Sequence, residues 1–253
     1  MTATKQQIVV CPMGRLKYPF AWALQRRLQN RLVEAKRSSP PEPVPHLLLL
    51  VEHPPVYTLG KSGNLANLLV DETTLAEHGA TFVHIDRGGD ITYHGPGQLV
   101  GYPILDLDRF YTDIHRYLRE LEEVIIRTCA SYDLAAKRIS GRTGVWIESG
   151  RQTQERKIAA MGIRCSRWVT MHGFSFNINT DLRRYDAIVP CGISDRAVTS
   201  LSEELARIVD EEEVKARVIH HFSEIFGAEI DHLEQNDAMP YIEEYLADRA
   251  VIE

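Results

Sequence analysis

The sequence predicts an α+β fold with mostly antiparallel strand pairing, and three observations carry that prediction. Short apolar runs crowd the middle of the chain, at 46–53, 82–86, 144–148, 157–166 and 169–179. Apolar residues recur every four positions in longer stretches at 18–37, 111–132 and 210–227. These helical stretches sit at the two ends and in one central gap. Strands and helices are therefore segregated and do not alternate as in a βαβ array.

Each element has its own justification. Residues 18–37 place Phe20, Leu24, Leu28 and Leu32 on one helical stripe, with Arg26, Arg27, Arg31 and Lys36 between them. SSPPEPVP at 38–45 is a loop, because such proline density suits neither helix nor central strand. HLLLLVEH at 46–53 reads as a buried strand, EHPPVYTLG at 52–60 ends in a glycine turn, and 64–80 is polar with one short helix. A strand at 82–86 runs directly into the glycine-rich segment 87–107. The helix at 111–132 carries Leu118, Leu121, Ile125 and Cys129 on one face. After a strand at 144–148, the polar stretch SGRQTQER forms a hairpin loop, followed by two strands and an irregular loop at 180–196. Asp210 with Glu213 three residues on starts a capped helix, Val214, Val218, Phe222 and Phe226 continue it, and Gly227 stops it. A last short helix covers 237–250. No linker divides the chain, so residues 1–253 are expected to form one domain.

Composition removes several classes. With 44% hydrophobic and 25% charged residues the chain is not wholly disordered, collagen-like or coiled-coil. The longest apolar run, 47–51, is far too short to cross a bilayer, and MTATKQQIVV lacks the features of a signal peptide. The expectation is a cytoplasmic protein with no membrane contact. Cys11, Cys129, Cys165 and Cys191 contain no CxxC pair, which argues against structural zinc and a disulfide framework; no metal is expected. A net charge of -6 argues against a nucleic-acid partner. Its distribution is uneven. Residues 1–40 hold eight Lys/Arg against one acid, a net +7, and residues 201–253 hold four against fifteen, a net −11. Solvated helix faces explain both ends; a basic patch through Arg26, Arg27 and Arg31 that steers in an acidic macromolecule is the sharper alternative.

The glycine-rich segment RGGDITYHGPGQLVGYPILDL holds Gly88, Gly89, Gly95, Gly97 and Gly101, five of the chain's 16 glycines. Gly95, Gly97 and Gly101 miss the dinucleotide pattern by one position, and Gly60-Lys61-Ser62 lacks the first glycine of a P-loop. No nucleotide motif remains. The segment is either a strand–bulge–strand turn or the wall of a pocket, and His94 within it favours the pocket. Three of the cysteines lie in apolar surroundings and suit burial. Cys191, between Pro190 and Gly192 in a polar loop, is either an inert loop cysteine, as most are, or a nucleophile, with Lys157, His94 and His172 as candidate partners.

Taken in order, EHPPVYTLG, the glycine-rich segment, TGVWIE at 143–148, KIAAMGIRCSRWVTMHGFSFNIN at 157–179, IVPCGI at 188–193 and VTSL at 198–201 closely resemble the lipoyl(octanoyl) transferases. The resemblance covers residues 46–205 well and the ends weakly. Its departures are the long polar stretch at 149–156 and Met161 in place of Ile or Leu.

The resemblance implies a mixed central β-sheet with a smaller second sheet and flanking helices, as in the biotin and lipoate ligases. It implies Cys191 as nucleophile and Lys157 as its partner. It implies acyl binding by Arg87, Gly88, Gly89, Asp90, Ile91, Thr92, Tyr93 and His94, by Ala160, Met161 and Gly162, and by Gly173, Phe174 and Ser175. The donor would be octanoyl-acyl carrier protein. The acceptors would be lipoyl domains of 2-oxoacid dehydrogenase complexes and glycine cleavage H protein, with no cofactor. The rival readings are an ATP-dependent ligase on the same fold, a cysteine hydrolase, and a non-catalytic lipoyl-domain binding module.

Overall fold

The computed structural model describes residues 5–148, 155–189 and 198–247. Strand β1 (Gln7–Arg15) leads into helix α1 (Tyr18–Arg37), whose Pro19 sits in the first turn, where no intrahelical bond is lost. Strands β2 (His46–Glu52) and β3 (Val56–Leu59) follow, then α2 (Glu72–Glu77), β4 (Thr81–His84), β5 (Ile91–His94) and β6 (Gln98–Ile104). Helix α3 (Ile114–Ala130) crosses to β7 (Ala136–Ile139), β8 (Arg142–Ile147), β9 (Arg156–Ser166) and β10 (Val169–Asn177). The chain ends with α4 (Leu201–Leu205), α5 (Glu211–Phe226), β11 (Glu229–His232) and α6 (Gln235–Ala247).

Eight strands form one sheet in the order β11-β1-β2-β6-β10-β9-β8-β7, and β4-β3-β5 form a second, smaller sheet. The central sheet is mixed: β1 runs parallel to β2 and β11, and the other pairings within it are antiparallel. The α+β expectation with a mixed central sheet, a smaller sheet and flanking helices is the architecture found.

Helices cover both faces of the large sheet, which explains the uninterrupted apolar run of β2. Leu48 and Leu50 point to the α3/α5 side, where Leu121, Val124, Ile125, Val218 and Phe222 pack. Leu47, Leu49 and Val51 point to the α1/α6 side with Leu24, Leu28, Leu32, Ile242 and Tyr245. Burying a side chain of this kind stabilises by roughly 1.5–3 kcal/mol. Tyr57, Leu59, Ile91, Tyr93 and Tyr185 form a separate core around the small sheet.

The boundaries differ from expectation for local reasons. Helix α3 starts at Ile114 and not at 111, because the Asp113 carboxylate accepts from the N–H groups of His115 (2.9 Å) and Arg116 (3.0 Å). Asp210 caps α5 through the N–H of Glu212, and Gly227 closes it at φ +59°. The basic N-terminal stretch is less available than its +7 suggests. Arg31 is buried and doubly hydrogen-bonded to Glu42, and Lys36 bridges Asp106 and Asp108. Arg31 therefore cannot steer a partner; Arg26 and Arg27 remain exposed.

Candidate active site

A cavity of about 540 Å³ lies between the small sheet and the β8–β9–β10 part of the large one. Its floor is made by small residues in register. Gly162 faces Gly173, and Ala160 faces Ser175, across the β9–β10 pair. A Cβ on Gly162 would meet Arg87 Cδ and the Gly88 carbonyl oxygen at 2.9 Å, so only glycine lets the loop before β5 lie this close. The Gly88 N–H donates to the Ile163 carbonyl (2.9 Å) and fastens that loop to β9. Arg87 holds the loop from beneath. Its guanidinium is buried and donates to the Thr58 carbonyl (2.8 Å), Thr58 Oγ1 (3.0 Å) and the Gly88 carbonyl (3.0 Å). Asp90 accepts from the Asn64 N–H (3.0 Å) and from Asn67 Nδ2.

The cavity brings together Arg87, Gly88, Gly89, Asp90, Ile91, Thr92, His94, Lys157, Ala160, Met161, Gly162, Gly173, Phe174 and Ser175. Tyr93 is not among them. Strand side chains alternate, so β5 turns Tyr93 into the small-sheet core, where its ring lies 5.1 Å from Tyr57 and 5.6 Å from Tyr185. Cys191 lies outside the described residues. The chain on either side of it is tied down: the Val189 N–H donates to the Asn67 carbonyl (2.8 Å), and the Thr199 N–H donates to the Lys157 carbonyl (2.9 Å). Val198 also bridges Lys157 in parallel.

Lys157 stands on β9 with its Nζ 4.7 Å from the Trp146 ring centroid, a cation–π distance. Gly144 makes room for it. Its φ is +125°, and a Cβ there would sit 3.2 Å from Lys157 Cε and 2.9 Å from the Ala159 carbonyl oxygen. The two candidate histidines are neutral. Burial drives the His94 imidazole well below its ordinary pKa, with the nearby His53 adding to the effect. Gln98 Oε1 accepts from His94 Nδ1 (2.8 Å), which leaves the Nε2 lone pair turned toward Thr58. Burial lowers His172 to about 4 against the opposing pull of Asp86. Cys11 and Cys129 are pushed up to about 12 by burial, and Cys165 is raised for the same reason, so none of these three supplies a thiolate at neutral pH.

Tyr18, Ser62, Tyr102, Leu118, Arg142, Trp146 and His172 also line the cavity. Trp146 stands beside Lys157 on the neighbouring strand, which strand pairing alone would suggest. Tyr18 gives no signal, because it comes from the first turn of α1, far away in sequence. Among the described residues, His220, His221 and Glu224 on α5 have metal-ligand spacing, and none of them lines the cavity. No helix of the described residues is long and apolar enough to cross a membrane.

The model of the lipoyl protein ligase A/B catalytic domain matches residues 17–223. An octanoyltransferase of Flavobacterium psychrophilum is 53% identical over 223 residues, covering 86% of this chain and 96% of the relative. An octanoyltransferase of Flavobacterium johnsoniae is 53% identical over 230 residues, covering 89% and 99%. The fold is shared with a bi-partite lipoate protein ligase from Thermoplasma acidophilum, at TM-score 0.67 and 17% identity over 96% of this chain and 92% of that one.

Proposed function

The chain belongs to the octanoyltransferases of the lipoyl protein ligase A/B catalytic-domain family, and from that premise we propose that it moves an octanoyl group from octanoyl-acyl carrier protein to a lysine of a lipoyl domain through a thioester on Cys191. The whole chain acts as one catalytic unit, in the cytoplasm. The acceptors are lipoyl domains of 2-oxoacid dehydrogenase complexes and glycine cleavage H protein.

The observation that carries the reading is the cavity itself. Thirteen of the fourteen residues proposed for acyl binding line one space, and Lys157 lines the same space. Its floor of Gly162, Gly173, Ala160 and Ser175 suits a linear alkyl chain. Lys157 is backbone-bonded to Thr199, which follows the segment that carries Cys191.

The chemistry balances in two steps. The Cys191 thiolate attacks the thioester carbonyl, a new S–C bond forms, and the carrier's C–S bond breaks. The carrier thiolate takes a proton from the Lys157 ammonium. The acceptor lysine, as free amine, then attacks the Cys191 thioester. A C–N bond forms, the C–S bond breaks, and the nitrogen's proton returns to Lys157. An ammonium beside sulfur also favours the thiolate, so one lysine serves both steps.

The test is intact-mass spectrometry after incubation with octanoyl-acyl carrier protein and no ATP. One octanoyl group on Cys191, discharged when a lipoyl domain is added, is the expected result. The same adduct on Cys191→Ser, or transfer only with ATP and free octanoate, would overturn the reading.

A further inference from the structure

The cavity carries more positive charge than transfer of an acyl group uses. Among the described residues its lining holds Arg87, Arg142 and Lys157 against one acid, Asp90, and its histidines are neutral. Arg87 is engaged by Thr58 and Gly88, and Asp90 by Asn64 and Asn67. Lys157 serves the proton transfers. Arg142 has no such role, and an acyl thioester, being neutral, does not call for it.

Strand alternation aims Arg142 at the cavity. On β8, Val145 and Ile147 point into the α3/α5 core, so Arg142, Gly144 and Trp146 share the opposite face. Arg142 and Trp146 accordingly both line the cavity. Arg142 is half-buried. Its Nη1 is buried with no hydrogen-bond partner among the described residues, while Nε and Nη2, equally unbonded, stay accessible. Acids close in sequence are paired elsewhere: Glu122 and Glu123 of α3 with Arg138, and Glu148, just past β8, with Lys137. The open Nε/Nη2 edge is the fork that receives a phosphate or carboxylate side-on.

The cavity is closed on one side and open on the other. Tyr18, His94 and Tyr102, none more than 5% exposed, close it toward α1 and β6. Gly141 and Thr143, which flank Arg142 at the tip of the β7–β8 hairpin, are exposed, so Arg142 stands at the open rim. Trp146 pairs with Lys157, and Arg142 lies four residues from Trp146 along β8, or roughly 13 Å of strand. An acyl carrier protein holds its thioester on a phosphopantetheine arm, which is neutral except for one phosphodiester. From sulfur to phosphorus that arm spans about thirteen bonds, or roughly 16 Å when extended. It is therefore long enough to set the thioester at Lys157 and the phosphate at Arg142.

We propose that Arg142 binds the phosphodiester of the donor's phosphopantetheine arm at the rim of the cavity. The proposal rests on the octanoyl-transfer reading above. Burial of Nη1 holds the guanidinium partly out of water, which strengthens a charge-assisted contact on its open edge. Neither the octanoyl chain nor the acceptor lysine offers an anion to that edge. The contact therefore recognises the donor by its arm and holds the thioester within reach of the reacting groups.

The experiment compares kcat/KM for octanoyl-acyl carrier protein, octanoyl-phosphopantetheine and octanoyl-pantetheine, which lacks the phosphate, with a lipoyl domain as acceptor. In the wild type, octanoyl-phosphopantetheine should exceed octanoyl-pantetheine about tenfold, the order of one charge-assisted pair. In Arg142→Gln that ratio should fall toward unity, and kcat/KM for octanoyl-acyl carrier protein should drop about tenfold, chiefly through KM. Arg142→Lys, which keeps the charge but not the fork, should restore part of the ratio. A merely structural role would lower both small donors together. An unchanged ratio in a folded Arg142→Gln overturns the proposal, as does a loss confined to the KM of the lipoyl domain. If that variant does not fold, Arg142→Lys is read by the same ratio, and equal rates for the two small donors on the wild type overturn the proposal outright. No amide product from octanoyl-acyl carrier protein and wild type would instead remove the transfer reading.

Discussion

Gln98 shows how a single buried amide joins the two sheets at the site. Its Nε2 is shared among the Tyr93 carbonyl (3.2 Å), Asn177 Oδ1 (2.8 Å) and Tyr185 OH (3.1 Å), and its Oε1 accepts from His94 Nδ1. The residue is 1% exposed, so water cannot substitute. Gln98→Leu fits the volume but leaves the His94 N–H and Asn177 Oδ1 short of partners. The expected loss is about 2–4 kcal/mol, because stranded buried polar groups cost far more than the bond itself is worth. Urea unfolding of the variant against the wild type measures it, and a loss under about 1 kcal/mol would show that the network re-forms without the amide. His94 is legible in the sequence as a pocket residue because it stands within a glycine cluster. The role of Gln98 is not legible, since its partners come from residues up to 87 positions away.

At the scale of elements, β6 and β10 approach each other closely. A Cβ on Gly173 would lie 2.2 Å from the Gly101 carbonyl oxygen and 2.6 Å from Pro103 Cδ. A Cβ on Gly101 would lie 2.2 Å from the Phe174 ring. Backbone atoms cannot yield as a flexible side chain can. Gly173→Ala must therefore push β10 off β6, at about 1–3 kcal/mol for overpacking, or roughly 2–12 °C of thermal midpoint for a chain this size. A calorimetric scan reads that shift, and an unmoved midpoint would mean the strands slide apart freely. The periodic elements are legible: 18–37 is found as α1 with the same bounds, and the strands at 157–166 and 169–179 are found as β9 and β10 within two residues at each end. Four-residue strands such as β3, β7 and β11 are not, because so short a run has no period of its own and forms only against its partner. His172 belongs with these. Strand alternation would put it on the same face as Phe174, and only its positive φ, which no residue pattern announces, turns its ring to Asp86.

The molecule as a whole buries four histidines near the site and the sheet that carries it. Burial lowers His46, His53 and His172 to about 4, and drives His94 well below its ordinary value. In the unfolded chain all four titrate near 6.5. Between those values the unfolded state binds more protons than the native state, so stability is full above about pH 6.5 and falls as pH drops toward 4. Each histidine contributes up to ~1.4 kcal/mol per pH unit across that window. Glu122 works in the opposite sense: burial raises its carboxyl, so its favourable contribution is lost as pH rises through its native pKa. It is one group against four. Set against a typical stability of ~5–15 kcal/mol, the histidines together remove a large part of the stability by about pH 5. The measurement is the unfolding free energy from urea titrations between pH 7 and pH 5. Its slope counts protons, and about three to four taken up on unfolding near pH 5 is the expected number. A slope of one proton or less would mean that these imidazoles stay accessible to protons in the native state. Loss of activity in acid would then be assigned to protonation at the site and not to the collapse of the fold around it.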